Sequence, residues 1–396
     1  MKIKLGVIFG GETVEHEVSI ISALQAIKNL DEEKYEIIPI YISKDRIWYT
    51  GHPLREMEFY KDFENTKKYA TKVTLFKEGK QFFLQKTNGL FRKNIAELDV
   101  ILPIVHGNNV EDGTLAGYLD TIGIPYVGSH VLGAALGQDK VVMKQVMSSA
   151  NLPIVEYTWF FDNEYLENKD EILKNIKSLG YPVVVKPATL GSSVGIEFVK
   201  TEKDIEKAID EAIKYDTKII VEKAVANLVE VNASVLGNYE YQKVSPLEEV
   251  MGVDEILSYS DKYLGNAKTK GTTSKGMAST SRIIPARISK ELTEKIQETS
   301  KEVFKLLNLS GVCRIDYLID SKTKEYYVNE PNTIPGSLSF YLWKEAGVKY
   351  SDLLEEMISI AIKEYKNKNK KVRSFNSNIL EGFNGSKGLK GAKKIG

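Results

Sequence analysis

Apolar residues fall in short blocks along this chain, and their period changes from block to block. Residues 4–9 (KLGVIF) form an apolar run that stops at Gly10 and Gly11, and residues 35–43 (YEIIPIYIS) form a second. Runs this short, bounded by glycines or polar turns, predict buried strands. Between them, SIISALQAIKNL spaces its apolar positions by three and four, which predicts a helix from an N-cap at Ser19 to Leu30. Strand, helix, strand is the unit of a parallel sheet. A further buried strand, LDVILPIV, stops at His106, and a helix over 114–122 leads into IPYVGS. Together these predict a small doubly wound α/β domain over residues 1–129.

From Gly133 onward the pattern differs. One helix is expected across ALGQDKVVMKQVMSSA, then strand TWF and an acidic, polar segment over 162–170. YPVVVKPA predicts a strand, interrupted by Gly191 and Gly195 and resumed in GIEFVK; an amphipathic helix over 202–215 and strand KIIVEKAV follow. The remainder predicts strand VNASVLG, a helix over 292–308, strands VCRIDYLID and EYYVNEP joined by SKTK, and a helix over 351–366. Residues 251–281 contain GNAKTKGTTSKGMASTS. Structureless loops beyond about 12–15 residues are usually lids or disorder, and a lid is the expectation here. The organisation expected is 1–129, 130–221, 222–370 with its lid at 251–281, and a Lys- and Gly-rich tail over 371–396.

Composition narrows the classes. The chain has 396 residues, more than one ordinary core at roughly 150 per domain. Lys plus Arg and Asp plus Glu balance at 54 each, which gives no basic surface for nucleic acid or an anionic membrane. Cys313 is the one cysteine, so no intrachain disulfide exists and a reducing compartment fits. The apolar run near the N-terminus is too short for a signal-peptide core, and no run approaches the roughly 20 residues that span a bilayer. A cytoplasmic protein is expected, with no nucleic-acid or membrane partner.

Candidate chemistry gathers first at YYVNEPN. Side chains two apart on a strand share a face, so Glu330 and Asn332 form one pair, and Arg314 with Asp316 in CRIDY another. If the two strands pair as a hairpin, Arg314, Asp316, Glu330 and Asn332 meet on one face. Three oxygen-bearing side chains suit Mg²⁺, and a neighbouring Arg suits an anionic intermediate. The pattern alone fits a solvated hairpin face equally well. In VVVKPATLGSSVGI, Lys186 closes a strand before Gly191, Ser192, Ser193 and Gly195, a loop able to cover phosphate or simply to turn. It is not GxxxxGK[ST]. In HGNNVEDGT, His106 at a strand end suits a structural hydrogen bonder or a catalyst. GGETVEHEVS lacks GxGxxG, so dinucleotide binding is unsupported; its Glu12, Glu15 and Glu17 suit a cationic amine or a solvated turn.

Taken in order, GGETVEHEVS, VHGNNVEDGTLAGYLDTIGIPYVGS, DKVVMK, VKPATLGSSVG, VEKAV, SYSDKY and RID…NEPNTIPG resemble the D-alanine–D-alanine ligases of the ATP-grasp superfamily. The resemblance runs from about residue 4 to 366. It implies an N-terminal doubly wound domain followed by a two-subdomain ATP-grasp fold, and ATP-dependent joining of two D-alanines through an acyl phosphate. It implies that Lys140 and Lys186 hold phosphates, with Gly191, Ser192 and Ser193 over them. Glu222, Lys223, Val225 and Glu230 then contact adenine and ribose. By the same resemblance, Glu15, Ser192 and Tyr263 are expected to form a triad that orients the first D-alanine, with Lys262 reaching the γ-phosphate. It further implies that Asp316, Glu330 and Asn332 bind two Mg²⁺ ions, with Mn²⁺ as an alternative, and that Arg314 and the Gly336 N–H form the oxyanion site. His106 joins the substrate site, and a homodimer through the N-terminal domain is expected. Val110 stands where the family has glycine, Ala116 where it has glutamine, and Cys313 at a small-residue position; Pro331 separates Glu330 from Asn332. IPGSLSFYLWKEAG is shorter than the family's segment that contacts the second substrate, which leaves Ser337 and Ser339 as candidates there. The alternatives are a ligase with another acceptor amine or hydroxy acid and a non-catalytic nucleotide-binding protein.

Overall fold

The computed structural model describes residues 2–89, 92–191, 194–251 and 282–372. Ser192, Ser193, Lys262 and Tyr263 lie outside the described residues, as do nearly all of the expected lid and tail. Strands β1 (Ile3–Gly10), β2 (Tyr35–Ile42), β3 (Trp48–Thr50), β4 (Thr71–Glu78), β5 (Gln81–Lys86), β6 (Asn94–Leu98) and β7 (Val100–Ile104) form one sheet. Their order is β6-β5-β4-β3-β2-β1-β7. β1 runs parallel to β2 and β7, the core that the strand-helix-strand pattern predicts. β3 to β6 add an antiparallel flank with no counterpart among the sequence expectations. The helix Thr114–Ile122 covers one face, where Leu115 and Leu119 meet Ile8, Ile40 and Ile101. On the other face, Leu353, Leu354 and Met357 of the late helix Tyr350–Asn369 share a core with Leu5, Val7 and Phe9. The last described helix therefore closes the first sheet.

The first helix spans His16–Asn29, so Ser19 is inside it and not its N-cap. Its hydroxyl has another use: Ser19 Oγ donates to the Glu15 carbonyl (3.3 Å) and accepts from the His106 N–H (2.9 Å). That bond ties the helix to the loop after β7.

β8 (Tyr157–Phe161), β9 (Val183–Pro187), β10 (Glu197–Val199) and β11 (Lys218–Lys223) form an antiparallel sheet ordered β10-β9-β11-β8. The helices Lys169–Leu179 and Ile205–Ile213 share its core through Ile172, Ile176, Ala208 and Ile209. The acidic stretch 162–170 is helical, in Asp162–Glu167 and the start of Lys169–Leu179. The single helix expected after Gly133 is two, Val131–Gln138 and Lys140–Ser149. Asp139 divides them because its Oδ1 accepts from the N–H groups of Val141 and Val142 (3.0 and 3.1 Å), an N-cap that restarts the helix.

β12 (Leu228–Gly237), β13 (Gln242–Val244), β14 (Glu248–Val250), β15 (Arg282–Ile283), β16 (Gly311–Asp320) and β17 (Tyr326–Asn332) form the third sheet, ordered β15-β14-β12-β16-β17 with β13 on β12. The 17-residue helix Lys290–Leu306 packs Ile296, Val303 and Phe304 against Val231, Ala233, Cys313, Ile315 and Tyr317. Alternation then turns Asn232, Arg314 and Asp316 to the opposite face. No helix among the described residues is long and apolar enough to cross a membrane.

Phe304 is fully buried between that helix and the sheet. Phe304→Ala is expected to lower the unfolding free energy by about 3–5 kcal/mol, read from urea denaturation, because its neighbours on the strands cannot collapse into the space.

Candidate active site

The polar face of the third sheet is organised by strand register. Glu248 lies opposite Asn232, Asn232 opposite Asp316, and Asp316 opposite Glu330, which makes one row across four strands. Arg314 lies opposite Asn332 in the neighbouring row. This is the hairpin face that the paired i, i+2 positions anticipate, but it depends on a bulge. Asp316 pairs with Glu330 while Tyr317 pairs with Val328, so Asn329 is an extra residue on β17. Val328 is therefore fully buried on the core side, and Glu330, two residues later, lines the cleft.

Asp316 and Glu330 each face a cation. Arg314 grips Asp316 through two parallel bonds, Nε to Oδ1 at 2.6 Å and an NH2 to Oδ2 at 2.7 Å. Asn332 Nδ2 donates to Asp316 Oδ2 at 3.1 Å. Lys140 Nζ lies 3.0 Å from Glu330 Oε2 and donates to the Leu190 carbonyl at 2.7 Å, which ties β17 to the glycine-rich loop. A Cβ built on Gly191 would sit 3.5 Å from Glu15 Oε2, so this loop also meets the first loop of the chain.

Behind the cleft lies a buried ion cluster. Glu222 Oε2 accepts from Lys186 Nζ at 2.5 Å, and Glu222 Oε1 is 3.0 Å from Lys144 Nζ, an ion pair whose angles miss those of a hydrogen bond. Lys186 also donates to Asn329 Oδ1 at 3.2 Å, so the bulged residue is held from the second sheet. Burial works against the charge on Glu222, but Lys144 and Lys186 outweigh it and hold the carboxyl down at about 2. Burial lowers Lys144, whereas for Lys186 the adjacent carboxylates overcome burial and raise it.

Of the residues proposed from sequence, Glu15, His106, Lys140, Gly191, Glu230, Arg314, Asp316, Glu330, Asn332 and Gly336 line one cleft. Lys186 and Glu222 are buried behind it; Lys223 is exposed beside Glu156 (3.5 Å), and Val225 is half-buried. Ser337 and Ser339 are buried and do not line the cleft.

Other lining residues had no role from sequence. Glu248 Oε2 accepts from Asn232 Nδ2 (3.2 Å) and Tyr341 Oη (2.9 Å), and its Oε1 is 3.2 Å from Arg282 Nε. The Arg282 guanidinium lies 4.0 Å above the Tyr341 ring. Glu111 accepts from the N–H groups of Gly107 (2.6 Å) and Ile334 (3.1 Å). Burial, with the negative Glu15 nearby, pushes its carboxyl up to about 8. Polar alternation through Glu230, Asn232 and Ser234 was the available signal for β12; the partners across the sheet were not readable without register.

The sequence also matches two family descriptions, "D-ala D-ala ligase N-terminus" over residues 4–129 and "D-ala D-ala ligase C-terminus" over 146–359. The chain belongs to the D-ala D-ala ligase family. The D-alanine–D-alanine ligase of Thermosipho melanesiensis is 39% identical over 381 residues, covering 96% of this chain and 98% of that protein. Among solved structures, the VanG D-Ala:D-Ser ligase from Enterococcus faecalis superposes with a TM-score of 0.76 at 30% identity, covering 91% of this chain and 100% of the other. The D-alanine–D-alanine ligase from Bacillus anthracis complexed with ATP superposes with a TM-score of 0.64 at 25% identity, covering 92% and 99%. The ATP-grasp architecture expected from the motifs agrees with these ligases.

Because the folded-state pKa of Glu222 lies below its ordinary 4.5, the group contributes stability above that pH and loses it as the pH falls toward 2. Glu222→Gln also removes the carboxylate that both buried lysines contact directly. The stability gap between the native ligase and Glu222→Gln is expected to be about 3–5 kcal/mol near neutral pH. It should shrink steadily between pH 4.5 and 2 in urea denaturation across that range.

Proposed function

We propose that this protein joins two molecules of D-alanine into D-alanyl-D-alanine, splitting ATP to ADP and phosphate, and so supplies a peptidoglycan precursor in the cytoplasm. The observation that carries the reading is the row Asp316–Glu330, with Arg314 and Asn332 beside it, facing Glu15 and Gly191 across one cleft. The carboxylate of the first D-alanine attacks the γ-phosphorus; the acyl phosphate forms and ADP leaves. The neutral amine of the second D-alanine attacks that acyl carbon, phosphate departs from the tetrahedral intermediate, and the proton lost from the amine leaves with the phosphate. Lys140 and Lys186 balance phosphate charge, and Glu15 orients the first ammonium. Arg314 and the N–H of Gly336 receive the oxyanion as it develops. Ser192, Tyr263 and Lys262 complete the reading as triad partners of Glu15 and a γ-phosphate contact; Ser193, Glu222, Lys223, Val225 and Glu230 complete the nucleotide site.

The donor set fits Mg²⁺. Asp316 and Glu330 are carboxylates and Asn332 a carboxamide, all hard oxygen donors, and Arg314 and Lys140 already offset the two negative charges. No three His, Cys, Asp or Glu side chains among the described residues cluster as a self-sufficient cage. Two ions held there would draw further oxygens from phosphate and water, and would supply charge neutralisation for phosphoryl transfer. A homodimer through the N-terminal domain belongs to the same reading.

One observation favours a different acceptor with the same first substrate: Ser337 and Ser339 are buried, while Tyr341 and Arg282 line the cleft. The test measures phosphate release from Mg-ATP with D-alanine alone and with D-serine, D-lactate or glycine added, identifying products by mass. Dipeptide from D-alanine alone is the expected result; release only with another acceptor moves the specificity, and no release with any of them overturns the reading. Glu330→Gln is expected to lower turnover by at least about 100-fold, with the thermal transition retained. Native-like turnover in that variant would remove Glu330 from the metal site.

A further inference from the structure

The loop after β7 reaches across to the segment that follows β17, and two of its side chains bond the same residue there. His106 Nδ1 lies 2.7 Å from the carbonyl oxygen of Ile334, and Glu111 Oε1 accepts from the N–H of the same Ile334 at 3.1 Å. Both backbone polar groups of Ile334 are thus held by two side chains of HGNNVEDG, five positions apart. We propose that His106 and Glu111 are positioning residues that clamp Ile334 from both sides and thereby set where the N–H of Gly336, two residues on, points.

The clamp is braced at its own base. Glu111 Oε2 accepts from the Gly107 N–H at 2.6 Å. The His106 N–H donates to Ser19 Oγ, and its carbonyl accepts from Thr13 Oγ1 at 2.8 Å. The ring's tautomer follows from its partners: a carbonyl oxygen can only accept, so Nδ1 carries the proton. Burial disfavours a second proton on this ring, so Nε2 is an acceptor, and Ser22 Oγ, 3.0 Å away, donates to it. Ser22 Oγ in turn accepts from the Ser337 N–H at 3.0 Å. The chain of bonds runs from Ser337 N–H through Ser22 and His106 to the Ile334 carbonyl. It brackets Gly336 on both sides.

The backbone shows why bracketing is needed. Ser337, Leu338 and Ser339 have φ of 50°, 52° and 51°, three successive non-glycine residues in the left-handed region. L-residues hold such a conformation only where the surroundings impose it, and strain of this kind concentrates at functional sites. Leu338, 1% exposed in the core of the first sheet, anchors the far end. The oxyanion donor is then positioned by the first domain although it lies on the last. It also follows that Ser337 and Ser339 serve the turn, not the substrate.

This inference rests on the reading of Gly336 as an oxyanion donor, and the test separates the two. His106→Ala, His106→Asn and Glu111→Gln are compared with the native enzyme by dipeptide turnover, ATP affinity, thermal transition and phosphate released per dipeptide. Asn keeps a donor where Nδ1 stands; Gln keeps the size of Glu111 but cannot accept at both positions. His106→Ala and Glu111→Gln are expected to lose about 10- to 100-fold in turnover, with ATP affinity within about twofold. Phosphate per dipeptide should rise above one as misplaced acyl phosphate goes to water, and His106→Asn should recover most of the loss. Because both side chains hold the one residue Ile334, the double variant should lose little more than the worse single one. Hydrogen exchange at the Ile334 and Ser337 amides, expected to quicken at least about tenfold in His106→Ala, reads the clamp without any turnover. Unchanged exchange, or one-to-one coupling with losses that multiply, would overturn it. Absence of dipeptide from the native enzyme would instead overturn the functional reading and leave the exchange result standing.

Discussion

Everything at this site depends on one extra residue in a β-strand. Without the bulge at Asn329, residues 328 and 330 would share a face, and either Val328 would leave the core or Glu330 would enter it. With it, Val328 packs against the helix behind the third sheet while Glu330 stands beside Asp316 over the cleft. The bulged Asn329 is itself bonded to Lys186 of the second sheet, so the irregularity also joins two parts of the molecule.

Three carboxylates at and behind the cleft are each balanced by a neighbouring cation. Asp316 is gripped by Arg314, Glu330 faces Lys140, and Glu222 sits between Lys144 and Lys186. A buried carboxylate without such a partner takes up a proton, and Glu111, pushed up to about 8, shows that tendency where the nearest charge is another carboxylate. On the proposed function, the same pairs would offer phosphate and a divalent cation groups that are already in place, so little reorganisation would be needed.

The first sheet and the late described segments are interlocked. The late helix Tyr350–Asn369 covers the first sheet, and the loop after β7 holds the turn around Gly336. The segment around Gly336, which follows the third sheet, is therefore tied to the first.

Periodicity alone determined the strand-helix-strand opening, the two later strand sets, the long helix ending near Leu306 and the pairing of Arg314 with Asp316, because alternation and helical spacing are local properties. Motif order determined the family. Ser19 as an N-cap and one helix through Asp139 failed because a hydroxyl and a carboxylate were engaged by backbone groups that spacing cannot reveal: the distant His106 N–H for Ser19, and a restarted helix for Asp139. Glu248 and Asn232 joined the row with Asp316 and Glu330 only once strand order brought β14, β12 and β16 side by side. His106 could be read as a bonder or a catalyst from its place at a strand end; only the fold brought Ile334, 228 positions later, against its ring. Sequence carries which residues can do chemistry, because side-chain type and local period are written there. Which of them meet is decided by register, bulge and packing between segments hundreds of residues apart.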